Sequence, residues 1–267
     1  MRYTVLGATG YIGSHLVAML ERAGAEVLAP SRGSSGWEAD CGRIVYCIGL
    51  TGDFRSRPLD TIRAHVSYLA DVLERARYES FTYLSSTRVY VDVERAAEDE
   101  SLHVAPERSD DLYNLSKLVG EALCLRCAGE NARVVSLSNV YGDPAPPHTF
   151  LSEILESASE RQEVVLRDHL DSEKDYVHVD DVVQLLRQIS DSGRERIYNV
   201  ASGANVSNRA LLDVVRRETG CRIESNASAP VRRFPPIDTS RISSEFGFRP
   251  RSLLAERPSL IRRDDAG

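Results

Sequence analysis

The sequence has little of what marks several protein classes. Its 33 basic side chains are outnumbered by 40 acidic ones, giving a net charge of −7, which argues against a nucleic-acid partner held by phosphate neutralisation. No apolar run approaches the roughly 18 residues of a membrane span, so no membrane partner is expected. No signal peptide is expected either, because residues 3–6 already have the composition of a buried strand.

The cysteines are too few and too scattered to indicate a disulfide framework. Five in 267 residues is an odd number in a chain long enough to build a core without cross-links, which indicates free thiols and a cytoplasmic protein. Cys124 and Cys127 have CxxC spacing, but they fall within a predicted helix without a second pair or a nearby histidine. We therefore expect them to pack in the core, and we expect no metal site.

The first half of the chain alternates short β-rich runs with helical patterns, which predicts an α/β fold with a Rossmann-like, doubly wound parallel sheet. Strands are predicted at residues 3–6, 26–29, 43–48, 81–84 and 133–137, and helices at 12–23, 59–77 and 110–127. Only 13 residues, 30–42, separate the second strand from the next one. The third strand usual in such folds is therefore expected to be reduced or absent.

The second half is less regular. Beyond Asn139, prolines interrupt the alternation, and shorter elements are predicted: helices at 149–160, 180–190 and 207–219, strands at 163–166 and 196–200, and one short helix within 235–250. We predict a dinucleotide-binding domain at 1–142. We assign 143–267 to a mixed region that completes the sheet at about 176–200 and forms a small C-terminal substrate lobe.

A glycine-rich turn joins the first strand to the first helix. Gly7, Gly10 and Gly13 have GxxGxxG spacing, in the strand–turn–helix context that dinucleotide binding requires. Glycines allow a pyrophosphate to approach backbone N–H groups, and the helix N-terminus adds partial positive charge. Turn chemistry alone would explain the glycines, but their position directly after a strand favours a cofactor site.

A tyrosine and a lysine lie four residues apart on the predicted helix 110–127. At this spacing Tyr113 and Lys117 share one helical face. An ammonium close to a phenol favours the phenolate, so the tyrosine can exchange a proton with a substrate oxygen. The chain has only two lysines, Lys117 and Lys174, beside 31 arginines, which favours a function for Lys117 over a solvated surface position.

A serine-rich turn follows the predicted strand 81–84. Ser85, Ser86 and Thr87 stand where that strand ends, and open α/β sheets place their ligands at this edge. A hydroxyl there can hydrogen-bond the reacting oxygen, although serine-rich turns also occur without any function.

These motifs occur in one chain with Asn139-Val140-Tyr141-Gly142, DYVHVDDV at 175–182 and YNVASG at 198–203. Together they resemble the extended short-chain dehydrogenase/reductases, and more closely the NAD-dependent epimerase/dehydratase family acting on nucleotide sugars. DTSR at 238–241 and GFRP at 247–250 match the usual C-terminal stretch of this family. The resemblance extends from residue 2 to about residue 250.

The resemblance implies a role for each matching position. Tyr113 is the acid/base, Lys117 holds the nicotinamide ribose and tunes Tyr113, and Ser86 touches the sugar oxygen. The cofactor-binding set is Gly7, Gly10, Tyr11, Ile12, Gly13, Ser31, Arg32, Cys47, Ile48, Gly49, Tyr113 and Lys117. The substrate-binding set is Ser85, Ser86, Thr87, Asn139 and Arg232. Asp180 and Asp181 are expected to cap the helix that they begin, and His178 is expected to be a packed, non-catalytic histidine.

Two departures from the family pattern narrow the reaction. The 4,6-dehydratases of the family carry an Asp-Glu pair after the active-site threonine, whereas this chain has Thr87-Arg88, so that elimination is not expected. NAD-preferring members end the second strand with an acid, whereas Ser31-Arg32 follows it here. Arg32 can bind a 2′-phosphate, which favours NADP(H) over NAD(H), although a solvated loop arginine is the alternative.

The function expected is an NAD(P)-dependent oxidoreductase acting on a nucleotide-linked sugar, most simply a keto-sugar reductase. The alternatives are a nucleotide-sugar 4-epimerase with tightly held NAD and a non-catalytic NADP-binding regulator. A homodimer through a four-helix bundle is expected as well. It would use the apolar stripe of helix 59–77 together with Leu112, Leu115, Val119 and Ala122, unless these residues pack on the chain's own sheet.

Overall fold

The computed structural model describes residues 1–31, 40–50, 52–108 and 110–255. The strands are β1 (Arg2–Leu6), β2 (Glu26–Leu28), β3 (Arg43–Tyr46), β4 (Ser80–Ser86), β5 (Ala132–Leu137), β6 (Asn139–Tyr141), β7 (Glu163–Leu166), β8 (Glu173–His178), β9 (Ile197–Val200), β10 (Asn205–Ser207) and β11 (Arg222–Ser225). Six of them form the main sheet, in the order β2-β1-β3-β4-β5-β9, and every neighbouring pair in it is parallel.

The helices are α1 (Tyr11–Arg22), α2 (Pro58–Ile62), α3 (Tyr68–Arg75), α4 (Asp111–Cys127), α5 (Phe150–Glu156), α6 (Val179–Ser192), α7 (Asn208–Thr219) and α8 (Ser240–Phe246). The helix predicted at 59–77 consists of α2 and α3 joined by a π-helical turn at Arg63–Ser67. Across the described ranges, each helix is too short or too polar to span a bilayer.

Helices cover both faces of the main sheet. On one face, apolar side chains of α1 and α6, such as Leu16 and Leu186, pack against strand residues such as Val5. On the other face, α3 and α4 bury Leu69 and Cys124 against β3 and β4. Parallel strands buried on both sides are typical of doubly wound folds, so the predicted fold class is confirmed.

In the described residues β2 is the edge of the main sheet, with no further strand beside it. Residues 32–39 lie outside the described part of the chain, so the prediction of a reduced or absent third strand falls mostly on residues that are not described. Asp40 forms a single bridge with Arg77 just before β3 begins.

The second half of the chain contains the two strands predicted at 163–166 and 196–200, which are β7 and β9, together with strands that the sequence did not indicate. Strand β9 extends the main sheet beside β5, while β8 lies in a separate sheet between β10 and β6. β7 pairs with β11, and an apolar cluster that includes Leu151, Leu211 and Leu212 packs nearby. Strands β6 and β10 have three residues each, too few for a visible alternation of apolar side chains. The division at 142/143 stays a prediction.

The cap of α6 differs from the expectation. Asp180 and Asp181 lie inside its first turn, and the N-cap is His178, whose ring accepts a hydrogen bond from the Asp180 N–H at 3.1 Å. The two carboxylates bind Arg251 instead, with N–O distances of 3.0 and 3.2 Å. The helix begins one residue earlier than predicted because the histidine ring satisfies an N–H group of its first turn.

Candidate active site

The glycine turn lies between β1 and α1, and its backbone is held close to the end of β3. Gly7 has φ +89°, and a Cβ there would lie 3.0 Å from the carbonyl carbon of Cys47 and from the Ile48 nitrogen. A Cβ on Gly13 would collide with the Gly7 carbonyl oxygen. The N-cap of α1 is Gly10, without a side-chain hydrogen bond, so no side chain of the cap competes with a ligand for the first-turn N–H groups.

Helix α4 carries Tyr113 and Lys117 on one buried face, with residue exposures of 4% each. Lys117 Nζ donates to the Leu84 carbonyl oxygen at 2.9 Å and lies 6.0 Å from the centre of the Tyr113 ring. A Cβ built on Gly49 would lie 3.5 Å from the same nitrogen. The ammonium therefore sits between the end of β4 and the segment after β3, near the glycine turn.

The hydroxyl of Ser86, the last residue of β4, lies beside the phenol of Tyr113. Burial raises the pKa of Tyr113, and the Ser86 hydroxyl and the Arg88 charge act to lower it. From the sequence, Lys117 was expected to lower this pKa; in the structure the lowering comes from Ser86 and Arg88. Lys117 Nζ faces the Tyr113 ring at 6.0 Å from its centre, so one ligand can contact both side chains.

His65, in the π-helical turn, packs against Tyr113 and is hydrogen-bonded to its neighbours. Its ring packs edge-on against Tyr113 with 5.4 Å between centres. Its Nε2 accepts the Leu50 N–H at 3.2 Å, so Nδ1 carries the proton and donates to Ser116 Oγ at 2.8 Å. The Ser116 hydroxyl donates to the Tyr113 carbonyl oxygen at 2.7 Å. Burial, with the Lys117 charge, lowers the pKa of His65 to about 2, so the imidazole is neutral.

A cluster on the loop before α2 covers Tyr113 from the other side. Phe54 is buried and stacks on the Tyr113 ring, with 4.9 Å between centres. The guanidinium groups of Arg55 and Arg88 lie 4.6 and 5.3 Å from the centre of the Phe54 ring. Both pair with Asp110, Arg55 through two hydrogen bonds at 2.6 and 2.8 Å and Arg88 through one at 2.7 Å.

The remaining predicted cofactor residues lie close to the glycine turn or outside the described chain. Cys47 and Ile48 follow β3 and lie against Gly7, while Tyr11 and Ile12 open α1. Burial raises the pKa of the Cys47 thiol to about 12, so it is uncharged. Ser31 is exposed beyond β2, and Arg32 lies outside the described residues.

The predicted substrate residues separate into two groups. Ser86 and Thr87 stand at the C-terminal end of β4, beside Tyr113. Ser85 is buried and donates a hydrogen bond to a Glu121 carboxylate oxygen, so its hydroxyl proton is not available to a substrate in this arrangement. Asn139 begins β6 and donates to the Asp175 carbonyl oxygen at 2.8 Å. Arg232 is exposed. Burial lowers the pKa of Lys174, the Arg232 charge adds to this effect, and Lys174 Nζ lies 3.5 Å from the centre of the Phe150 ring.

A sequence profile of the NAD dependent epimerase/dehydratase family matches residues 3–48 and 38–201, three quarters of the chain. The match includes the glycine turn, the serine-rich turn and the Tyr113–Lys117 pair. The chain belongs to the NAD-dependent epimerase/dehydratase family. The membership predicted from the motifs is therefore confirmed.

Two curated members of the family illustrate the range of its activities. The chain is 29% identical over 199 residues to a dTDP-glucose 4,6-dehydratase of Streptomyces griseus, covering 70% of this chain and 59% of that protein. It is 26% identical over 302 aligned positions to a dTDP-4-dehydro-6-deoxy-D-allose reductase of Streptomyces bikiniensis, covering 93% and 91% of the two chains. The chain thus spans less than two thirds of the first relative and nearly all of the second.

The fold of the family is seen in a solved structure of MoeE5 in complex with UDP-glucuronic acid and NAD. It superposes with a TM-score of 0.81, at 24% identity, over 98% of each chain. In the present chain, Gly7 and Gly13 lie so close to neighbouring backbone atoms that a Cβ at either position would fill the space left for a ligand. The residues present therefore fit a dinucleotide at the N-terminus of α1.

Several residues of the site were not found from the sequence. Glu121 continues the Tyr113–Lys117 spacing by four more residues, and this signal could have found it. His65, Phe54 and Arg55 carry no local signal, because their places depend on how α2 and the loop before it pack on α4. Arg88 was noted as a departure from the dehydratase pair but not as a neighbour of Tyr113.

Proposed function

We propose that this family member is an NAD(P)-dependent oxidoreductase that reduces a keto-sugar linked to a nucleotide, with Tyr113 as the acid/base. The observation that carries the proposal is the buried Lys117 ammonium, which lies 6.0 Å from the centre of the Tyr113 ring and donates to the Leu84 carbonyl oxygen of β4, the strand that ends at Ser86. The carboxyl ends of parallel strands are where such sheets bind their ligands. Hydroxyl, phenol and ammonium together can bind and protonate one sugar oxygen.

The residues that would hold the dinucleotide are those around the glycine turn and the end of β3. The N–H groups of Tyr11 and Ile12 at the α1 N-terminus would face the pyrophosphate, with Gly7, Gly10 and Gly13 leaving room for it. Cys47, Ile48 and Gly49 would line the cofactor, and Lys117 would bind the nicotinamide ribose. When bound, the reduced nicotinamide supplies the hydride that the carbonyl carbon accepts.

Tyr113 performs the proton step. As the carbonyl carbon becomes a carbinol carbon, Tyr113 Oη gives its proton to the sugar oxygen, and the reverse reaction returns it. Ser86 donates to the same oxygen and stabilises its developing charge, and the Arg88 charge favours the phenolate that Tyr113 becomes. Phe54 and His65 enclose the phenol and exclude water from it.

The preference for NADP(H) over NAD(H) belongs to the same proposal. The segment after β2 reads Ala29-Pro30-Ser31-Arg32, which offers no carboxylate to a ribose 2′-hydroxyl and a guanidinium to a 2′-phosphate. Arg232 and Lys174 would supply positive charge to the diphosphate of a substrate, on the side of the sheet formed by β6, β8 and β10. Thr87, after β4, and Asn139, in β6, would contact the same substrate.

The proposal also includes a quaternary structure and a cellular compartment for the protein. We infer a homodimer formed through α2, α3 and α4, because Leu59 is 68% exposed and Val119 is 44% exposed on helices that the sequence marks as apolar. All five cysteines are free thiols, which suits a cytoplasmic protein.

The experiment is an assay of NADPH and NADH oxidation with a panel of dTDP- and UDP-linked 4-keto-sugars. We expect consumption of the reduced cofactor, faster with NADPH, and loss of turnover in Tyr113→Phe with cofactor binding retained. Interconversion of sugar epimers without net cofactor consumption would identify a 4-epimerase instead. Cofactor binding without turnover of any sugar would contradict the enzyme and leave a dinucleotide-binding regulator.

A further inference from the structure

The π-helical turn between α2 and α3 is anchored to the main sheet by two tyrosines. Tyr46 of β3 donates a hydrogen bond to the Ala64 carbonyl oxygen at 2.6 Å, and Tyr83 Oη of β4 lies 3.5 Å from the His65 carbonyl oxygen. A Cβ on Gly120 of α4 would lie 3.0 Å from that carbonyl oxygen, so a glycine lets α4 approach the turn closely. π-Helical turns are rare and are frequently found at functional sites. The backbone at residue 65 is therefore fixed both from the sheet and from α4.

The His65 ring fills the space between three parts of the candidate site. It is wholly buried and packs edge-on against the Tyr113 ring. A Cβ built on Gly49 would lie 3.2 Å from His65 Nε2 and 3.5 Å from Lys117 Nζ. The imidazole is therefore enclosed by the segment after β3, by the ammonium and by the phenol.

Both ring nitrogens of His65 make hydrogen bonds. Nε2 accepts the N–H of Leu50, and Nδ1 donates to Ser116 Oγ, whose hydroxyl donates to the Tyr113 carbonyl oxygen. A chain of hydrogen bonds thus runs from the segment after β3, through the imidazole, to the backbone of Tyr113. Only a neutral imidazole with its proton on Nδ1 makes both bonds of the ring, and each bond in such a chain polarises the next.

We propose that His65 is a positioning residue, which ties the segment after β3 to Tyr113 and so holds the nicotinamide and the phenol at a fixed distance and orientation. The proposal deepens the function proposed above and rests on it for its meaning in catalysis. His65 has no exposed surface, so it acts through Leu50 and Ser116 and not by touching the sugar. A misplacement of about 1 Å between reacting groups can cost on the order of 100-fold in rate, so the effect of such positioning is measurable.

His65→Phe separates hydrogen bonding from packing. Phenylalanine keeps a ring of similar shape against Tyr113 but makes neither hydrogen bond. We expect kcat for keto-sugar reduction to fall about 10- to 100-fold, with the KM of the sugar nucleotide changing less than kcat. His65→Gln donates and accepts through its amide and should recover part of this loss. A wild-type kcat in His65→Phe overturns the inference, because packing alone would then account for His65.

Ser116→Ala breaks the same chain on the side of α4, and it decides the question if His65→Phe does not fold. It removes the acceptor of the Nδ1 proton but keeps the imidazole and its bond to Leu50, so kcat should fall by less than in His65→Phe. The matched control is Ser244→Ala on α8. The Ser244 hydroxyl also donates to the carbonyl oxygen three residues earlier, that of Arg241 at 3.1 Å, but at an exposed position. Wild-type kcat in both serine variants overturns the inference.

NMR of ¹⁵N-labelled histidine gives a measurement that needs no turnover. The chain has six histidines, and the signals of His65 are those lost in His65→Phe or His65→Gln. In the wild type we expect the Nδ1–H tautomer of His65 and a Leu50 amide protected from hydrogen exchange, and in His65→Phe a faster exchange of that amide. An Nε2–H tautomer, or equal Leu50 exchange in the two proteins, overturns the inference. The expected tautomer and exchange in a protein that turns over no sugar nucleotide support the positioning by His65 and refute the proposed function.

Discussion

The Ser86 hydroxyl lies beside the Tyr113 phenol and acts to lower its pKa, although one residue ends β4 and the other lies in the first turn of α4. The same short segment brings in Arg88, whose backbone N–H donates to Ser86 Oγ at 3.2 Å and whose charge also acts to lower the pKa of Tyr113. Burial raises this pKa, and the two groups that oppose burial come from the end of β4 and the 3₁₀ turn after it.

Arg88→Gln should raise the pKa of Tyr113, because a positive charge that favours the phenolate is removed. In the direction of alcohol oxidation, where the phenolate is the base, the rising limb of the rate against pH should move to higher pH. At a fixed pH on that limb the rate of the variant should be lower than that of the wild type.

The matched control is Arg55→Gln. Arg55 pairs with the same Asp110 and lies on the same Phe54 ring, but it is not among the groups that shift the pKa of Tyr113. Steady-state rates over a range of pH compare the two variants. Equal shifts of the pH profile in both variants would show that the ion pairs of Asp110 with Arg55 and Arg88, and not the charge of Arg88 itself, act on the pKa of Tyr113.

The low pKa of His65 in the folded chain predicts a loss of stability in acid. Its pKa is about 2 in the folded chain against an ordinary value of 6.5, so the unfolded chain takes up a proton first as the pH falls. The stabilisation is complete above about pH 6.5 and is lost below it, by about 2 kcal/mol on reaching about pH 5.

Urea unfolding of the wild type and of His65→Gln at these two pH values measures the effect. The variant should lose less stability between them than the wild type, by about 2 kcal/mol. His103→Gln replaces an exposed histidine and serves as the control. A wild-type slope retained in His65→Gln would show that the acid sensitivity arises elsewhere.

Gly13→Ala should damage the cofactor cradle. Its Cβ would collide with the Gly7 carbonyl oxygen, so the turn must open, at a cost of about 1–3 kcal/mol. Calorimetric titration with NADP⁺ and with NAD⁺ should show a loss of affinity of tenfold or more.

Gly24→Ala gives the comparison for this loss. Gly24 has φ +74° and open space around its Cβ position, so alanine there strains the backbone after α1 without touching the cradle. It should lower the melting temperature while leaving cofactor affinity at the wild-type value. Normal affinity in Gly13→Ala would mean that the cofactor binds elsewhere.

The proposed dimer predicts a change of mass in solution. The wild type should scatter light as about twice the chain mass of 29.6 kDa, and Leu59→Glu with Val119→Glu should reduce this to the mass of one chain. Charges placed in a buried apolar interface cost several kcal/mol, which is enough to dissociate it.

Val165→Glu places the same charge at an equally open position, 61% exposed on β7, away from these helices. It should leave the mass unchanged. A wild type that scatters as one chain would remove the dimer from the proposal.

Local sequence patterns are enough to predict the elements that carry the site. The period of the apolar residues predicts β1, β3, β4, β5 and the helices between them, because each of these elements buries one face on a common core. The glycine spacing and the Tyr113–Lys117 interval are local patterns, and local geometry places their members together wherever the helix lies. The family could be inferred from these motifs alone.

The side chains that surround the phenol of Tyr113 are set by the packing of distant segments. The neighbours of Tyr113 come from β4, from the loop before α2 and from the π-helical turn, and no sequence interval relates these segments. The orientation of Ser85 toward Glu121, and away from a substrate, depends on the packing of α4 on β4. Charge and burial act through space, so the pKa of each group in the site depends on which distant segments the fold places around it.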